Sequence, residues 1–412
     1  WLLLSLDSPL CEVSMKRTLI ALAIILIAAF AYFAFPSPDS MKLVLVGNES
    51  GGTAARDKHM LALMEARLQR FADTHHVQVE ISYLDASLPP AKLEAQIQSL
   101  VDDGLADVLL GCGDSSCVRR VLPLAESHGI NLVYPGSSEG LFKSRYLIHL
   151  GVVANQYLFP TVSWVRQHLG ENIFYLGSES ARSRMMGRML SNQLLKASSQ
   201  TLVGEEYLDA FEELPSILDK ISVYQPDVVL LDTCEWLWHP TFVQALRDIK
   251  QRKFSLCTDQ RMPNVNDLYF VSHYYDHKRN RFNKELYEMV NGPPDALISM
   301  AILATDMYID GWQKHRTNHA GKIADYFKGK NAFTATGSMA VDFHNEGSWH
   351  SVFIVRADPG DDKLLWISDV LMRPVMFPGL EAPSDWQHNL TIYWRNNRGR
   401  WRTGSMNGKP WL

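Results

Sequence analysis

Residues 41 to 275 alternate between short apolar runs and segments with apolar residues at helical spacing, and no other feature of the chain restricts its fold as much. "MKLVLVG" reads as a strand and "HMLALMEARLQRFADTH" as a helix. "HVQVEISYLD", "AKLEAQIQSLVDDG", "ADVLLGCG", the helix-like "SCVRRVLPLAESHG" around Pro123, and "INLVYPG" continue the pattern. A second alternation begins near Asn155 and runs through "NIFYLGS", "TLVGEEYLD", "PDVVLLDTC" and "KFSLCTD", with a helix before or between each, to the strand-like "LYFVSHYYD". Such order predicts parallel sheets with helices on both faces. Two similar halves of about 110 residues each predict two α/β lobes. The helix "DALISMAILATDMYIDGWQKH" and the strands around "SMAVDFHNEGSWHSVFIVRAD" must then return to complete them. Right-handed crossovers bring the loops at the strand C-termini to one edge, where open α/β sheets bind ligands.

The N-terminus carries a compartment signal. Lys16 and Arg17 precede an uncharged apolar run from Thr18 to Phe35, the pattern of a secretory signal or a membrane anchor. Met15 is the expected start, residues 1–14 a non-native leader and 15–35 the signal peptide or signal anchor. Ala29-Phe30-Ala31 fits a small-residue cleavage site, while the run is near the minimum that spans a bilayer. Either way the rest of the chain is expected outside the cytoplasm, in the periplasm, anchored by 18–35 if uncleaved. Cys112, Cys117, Cys234 and Cys257 can then form two bridges, in any of three pairings, or remain buried thiols.

Composition narrows the function classes. Hydrophobic residues at 46% and charged residues at 21% are those of a globular chain. A net charge of -5 provides no broad attraction to nucleic acid. The exception is the tail at 391–412, where Arg395, Arg398, Arg400, Arg402 and Lys409 stand among tryptophans.

The loop in "LLGCGDSSCVRR" invites an enzymatic reading that spacing rejects. It lacks the Gly-Lys of a phosphate loop and the third glycine of a dinucleotide fingerprint. No Gly-x-Ser-x-Gly surrounds Ser115 or Ser116, and four residues separate Cys112 from Cys117, where a redox pair has two. No cofactor or metal site is expected; His273 and His277 sit on a strand end and loop, where no helix aligns them on a metal. What remains is a strand-to-helix loop whose backbone N–H groups and serine hydroxyls can hold a ligand oxygen or cap the helix. One strand later, "LVYPGSSEG" again ends a strand in hydroxyl-bearing residues, with Tyr134 able to close over a small ligand.

The run "GCGDSSCVRRVLPLAESHGINLVYPGSSEG" resembles the ligand loop of the urea and short-chain-amide substrate-binding proteins of ABC transporters. These are related to the amidase-operon negative regulator and to Leu/Ile/Val-binding proteins. Gly111, Cys112, Ser115, Pro123, Tyr134, Pro135, Glu139 and Gly140 carry the likeness, which continues through Gly151, Asn155, Gln156 and Pro160. The resemblance implies a type I periplasmic-binding-protein fold: two doubly wound parallel-sheet lobes, three hinge crossings and a central cleft. Lobe I is then expected at 41–152 plus 276–340, and lobe II at 153–275 plus 341–385. It also implies that Ser115, Tyr134, Gly136 and Ser137 contact the ligand, with Ser50, Gly51 and Thr53 of "GNESGGTA" at the rim.

The second lobe departs from that family. Glu179 to Arg184 replace an aromatic wall, and Asp232 and Glu235 stand where small hydroxyl residues are usual. Arg182 and Asp232 are therefore expected at the ligand and suit a zwitterion, unless Arg182 simply pairs with an acid. The reading is a non-catalytic, extracytoplasmic solute-binding component that delivers a small amide, urea-like compound or amino acid to ABC permease subunits. The alternative is a membrane-tethered sensor that signals to a partner protein.

Overall fold

A computed structural model describes residues 40–376 and 378, apart from 197–200, 276–279, 316–318, 336, 344–346 and 359–361. The expected leader at 1–14, the segment 15–35, the tail 391–412 and His277 lie outside the described residues. Among the described residues no helix is long and apolar enough to cross a membrane.

The first α/β unit is built from β1 (Ser40–Gly47), α1 (Ala54–His75), β2 (Gln78–Asp85), α2 (Pro90–Asp102), β3 (Val108–Gly111), α3 (Ser115–His128), β4 (Asn131–Tyr134) and β5 (Leu147–His149). The strands form one parallel sheet in the order β2-β1-β3-β4-β5. The apolar run of β1 at 43–46 follows from this architecture, since a strand with helices on both faces has no face for water. Met41, Leu43 and Leu45 point into one core with α1, and Val44 and Val46 into the other with α2 and α3.

The second unit repeats the design with α4 (Ala154–His168), β6 (Asn172–Ser178), α5 (Ala181–Lys196), β7 (Thr201–Leu208), α6 (Leu214–Tyr224), β8 (Val228–Asp232), α7 (Pro240–Asp248), β9 (Arg252–Ser255) and β10 (Leu268–Ser272). Its sheet has the order β7-β6-β8-β9-β10 and is extended by two antiparallel strands. These are β14 (Phe353–Arg356) and β15 (Lys363–Ile367). In β8 the alternation again splits two cores: Val228 and Leu230 face one, Val229 and Leu231 the other.

Between β10 and β14 the chain revisits the first unit. There α8 (Arg281–Val290), α9 (Ala296–His315), α10 (Ala320–Phe327) and the small antiparallel sheet β11 (Asn331–Thr334), β12 (Gly337–Val341) and β13 (Ser348–Trp349) pack on the α1 side. The chain thus passes between the units three times: after β5, after β10 and after β13. The first passage is tight, because a side chain on Gly151 would place its Cβ 2.1 Å from the Gly136 carbonyl oxygen. Gln156 at the start of α4 ties the passages to the C-terminal segment, donating to the carbonyls of Ser348 at 2.8 Å and Met372 at 2.7 Å. This is an α/β fold of the type I periplasmic-binding-protein kind.

Candidate functional site

Both parallel sheets share one strand order, 2-1-3-4-5 in their own numbering, and each reverses direction between its first and third strands. Loops leaving the C-terminal ends on either side of such a reversal diverge and open a crevice. The two crevices face each other across a cleft of about 550 Å³.

On the first unit, the loop after β1 is organised by Asp57 of α1. Asn48 donates to its Oδ2 from the backbone at 2.9 Å and from the side chain at 3.0 Å. Burial, and secondarily the charge of Asp114, pushes the Asp57 carboxyl up to about 7. Ser50 and Thr53 line the cleft. Ser50 Oγ lies 2.9 Å from Ser87 Oγ, and Thr53 Oγ1 accepts from Asn48 at 3.1 Å.

The loop after β3 is closed by a Cys112–Cys117 disulfide. Ser115 lines the cleft and is 1% exposed. The helix cap, however, is Asp114 and neither serine hydroxyl. Its Oδ1 accepts from the backbone of Ser116 at 2.8 Å and of Cys117 at 3.0 Å. A carboxylate outcompetes a hydroxyl there because it is a charged acceptor at the positive end of the helix dipole.

After β4 the expectations divide. Ser137 lines the cleft, but Tyr134 and Gly136 do not. Tyr134 is fully buried, its ring stacked on His149 with centroids 4.8 Å apart and its hydroxyl donating to the Ser137 carbonyl. It shapes the loop from behind and does not close over the cleft. Gly136 is glycine for the same reason: a Cβ there would stand 2.8 Å from the Tyr134 ring.

On the second unit Arg182 reaches the cleft from the first turn of α5, 15% exposed. Its Nε lies 3.4 Å from Asp232 Oδ1, and it donates to Ser137 Oγ at 3.3 Å and to Tyr157 Oη at 3.4 Å. Burial opposes its charge, but the Tyr157 phenol and the Asp232 and Asp259 carboxylates outweigh that and hold the guanidinium above the usual arginine range. Asp232 is 1% exposed, accepts from Tyr175 Oη at 3.1 Å, and backs Arg182 without lining the cleft. The acid expected as a possible surface partner of Arg182 is thus a buried one.

The loops after β8 and β9 are tied by the Cys234–Cys257 disulfide. They present Glu235, whose carboxyl burial pushes up to about 7, and Trp236. Trp236 brings one aromatic ring to the cleft, where 179–184 bring none. Trp236 packs edge-on to Phe211 at 4.8 Å, and its indole N–H is buried without a hydrogen-bond partner among the described residues. Asp232, Cys234 and Cys257 cluster closely enough to ligate a metal, but both sulfurs are consumed in the disulfide.

Besides the Arg182–Ser137 bond, further contacts cross the cleft. Gly52 and Glu235 face each other closely enough that a Cβ on the glycine would lie 3.4 Å from the glutamate Cβ. Nearer the passages, Ser137 donates to Asp259 Oδ2 from its backbone at 2.8 Å and its hydroxyl at 2.6 Å.

The family model described as "Periplasmic binding protein domain" matches residues 43–251, which is half of the chain. The chain belongs to the periplasmic binding protein domain family. Solved structures of similar shape include a solute-binding protein of an ABC transporter from Rhodopseudomonas palustris BisB5 in complex with 3,4-dihydroxybenzoic acid. It is 15% identical, with a TM-score of 0.72 over 82% of this chain and 99% of that one. The leucine-binding protein LivK of Thermotoga maritima is 14% identical, with a TM-score of 0.66 over 79% and 98%. The branched-chain amino acid transporter substrate-binding protein LivJ of Streptococcus pneumoniae, in complex with isoleucine, is 14% identical at a TM-score of 0.66 over 79% and 99%. At these identities the likeness establishes the fold, and the periplasmic binding protein reading of the sequence agrees with it.

Several cleft residues escape the sequence reading. Arg56 donates to the Gly113 carbonyl at 2.8 Å, and Arg119, 8% exposed, pairs with the buried Glu139 over the Phe142 ring. Both come from helix positions that look like any charged helical residue. Asp209, Trp236 and Asp259 sit just past strands that the apolar pattern does locate, so strand-end position was the available signal.

Proposed function

We propose that this periplasmic binding protein captures a small polar solute between its two α/β units outside the cytoplasm and delivers it to an ABC permease, without chemistry of its own. The two-unit architecture supports that reading, since each parallel sheet has its own pair of cores and the cleft lies between them. Of an amide, a urea-like compound and an amino acid, the amino acid fits best. The observation that carries this is charge balance: Arg56, Arg119, Arg120 and Arg182 line the cleft with Asp114, Asp209, Glu235 and Asp259. A cleft that presents both signs can meet a carboxylate and an ammonium at once, whereas neutral urea carries no charge for these groups to recognise. Ser50, Thr53, Ser115 and Arg182 are the proposed contacts. Asp232 acts through Arg182, and Tyr134 and Gly136 act through the shape of the loop after β4. The cleft volume lies within the roughly 300–1,000 Å³ of small-molecule sites.

Thermal-shift and calorimetric titration of the purified chain against amino acids, urea, acetamide and benzoate tests the proposal. A solute that binds only the folded state raises the melting temperature by mass action. Amino acids are expected to do so. A response to urea or acetamide alone would restore the amide reading, and one to benzoate alone would move the ligand class toward that of the Rhodopseudomonas proteins. Silence across the panel would count against solute capture.

A further inference from the structure

The sequence reading places Ser137 at the ligand, yet the structure leaves its polar groups little to offer one. A serine has one backbone N–H, one hydroxyl proton and two hydroxyl lone pairs. The N–H and the hydroxyl proton both go to Asp259 Oδ2, at 2.8 and 2.6 Å, and one lone pair accepts from Arg182. All these partners belong to the opposite unit.

Both ends of this contact are built rigidly. On the first unit, the Ser137 carbonyl accepts from Tyr134 Oη, and the Ser138 N–H donates to Val152 of the first passage at 2.9 Å. On the second, Asp259 follows Thr258, whose carbonyl accepts from Ser272 Oγ at 3.0 Å; the Asp259 carbonyl also accepts from the Leu297 N–H of α9, on the first unit, at 3.4 Å. Asp259 is 6% exposed and no salt bridge to a lysine, arginine or histidine is found for it among the described residues. A buried carboxylate in that position depends on its hydrogen-bond donors: Thr258 Oγ1 of its own unit reaches Oδ1 at 3.5 Å, while both donors to Oδ2 come across the cleft from Ser137. Rotation of the units apart would remove both together.

We propose that Ser137 and Asp259 form a closure latch: they hold the two units together through protein-to-protein bonds available to the unliganded chain, and so set affinity through the open–closed equilibrium. Both are positioning residues. The latch rests on the two-unit closure reading above, but not on the identity of the solute. A closed state favoured by the latch means that a solute spends less of its binding energy on bringing the units together.

Hydrogen exchange on the full chain, with no solute added, tests this. Opening uncovers the cleft walls at Gly113–Ser116 and Cys234–Trp236 but not the strands β1 and β6. Ser137→Ala and Asp259→Asn are expected to speed exchange at both walls by about tenfold, the scale of one hydrogen bond to a charged group lost from the closed state. The core strands should be unchanged. Ser137→Thr, which keeps the hydroxyl, should restore slow exchange. Unchanged wall exchange in both variants overturns the latch. So does faster exchange throughout the chain that threonine fails to restore, since that marks an ordinary loss of stability. Should Asp259→Asn not fold, the Ser137→Ala and Ser137→Thr comparison decides alone. Because no solute enters the measurement, a latch effect in a chain that binds none of the panel would keep the latch and sink the ligand reading. Solute binding with unchanged wall exchange would do the reverse.

Discussion

His273 and His350 meet edge to face with ring centroids 5.1 Å apart, where two of the three passages between the units run side by side. His149 ends β5 at the remaining passage, so each passage carries a buried histidine. Burial holds all three imidazoles neutral, His149 down to about 4 and His273 and His350 down to about 3. His149 and His350 contact the carbonyls of Gly136 and Leu150 through Nε2, at 2.8 and 2.7 Å. His273 has no hydrogen-bond partner at either ring nitrogen among the described residues.

Because the folded pKa of His273 lies below the unfolded value near 6.5, its contribution is full above that value and is withdrawn as pH falls toward 3. Each pH unit across that window removes at most about 1.4 kcal/mol. Asp57 and Glu235, with carboxyls raised to about 7, act with the opposite sign over part of the same range, so the whole chain's pH profile mixes both. The difference between wild type and His273→Phe isolates the histidine, since that change removes a proton site and no hydrogen bond. Melting temperatures should be close at pH 7.5, with the variant gaining steadily from pH 6 to 4. Parallel curves would refute the assignment.

The Cys234–Cys257 bridge spans 23 residues and anchors Glu235 and Trp236 to the loop that carries Asp259. A bridge of this loop length is worth roughly 2–4 kcal/mol. Thermal unfolding of the Cys234→Ser/Cys257→Ser double variant, which leaves Cys112–Cys117 intact, should show that loss. Weaker solute binding should accompany it. Retained affinity in the double variant would mean that the loops hold their positions unaided.

Removing Arg182 should do more than weaken binding. Arg182→Ala strands the buried Asp232 without its cation, a change that costs about 3–5 kcal/mol in comparable buried pairs. The double variant Arg182→Met/Asp232→Leu should recover most of the stability but none of the affinity. Urea denaturation and calorimetry separate the two effects. Recovery of binding in the double variant would exclude Arg182 as a ligand contact.

Asp114→Ala removes the cap of α3 and should lower stability by about 1 kcal/mol, with Asp114→Asn losing less. The same change relieves the Coulombic pressure on Asp57, whose carboxyl should titrate at lower pH in the variant. Carbon-detected NMR of the aspartate side chains reads that shift directly. An unmoved Asp57 would show that burial alone raises it.

The sheets were legible because their cause is local and periodic. Val44 and Val46 had to face one core and Leu43 and Leu45 the other once helices covered both sides, and the unbroken apolar run records this. β5 was not legible, since three residues carry no period, and α8 and α10 gave too short a pattern to be separated from the loops around them. The strand-end loops with Ser50, Thr53, Ser115, Ser137 and Arg182 could be found by position alone.

Chain order therefore determined the α/β class, the two repeated units and the edge on which a ligand would sit, because hydrophobic period and connection handedness act over neighbouring residues. Only the tertiary structure decided which side chains share that edge's space. It turned Tyr134 inward against His149, put Asp114 in the cap, brought Trp236 into the cleft, paired the cysteines and set Ser137 against Asp259, 122 positions away. Each of those choices depends on burial and on hydrogen-bond partners supplied by distant segments, and one-dimensional spacing holds no record of them.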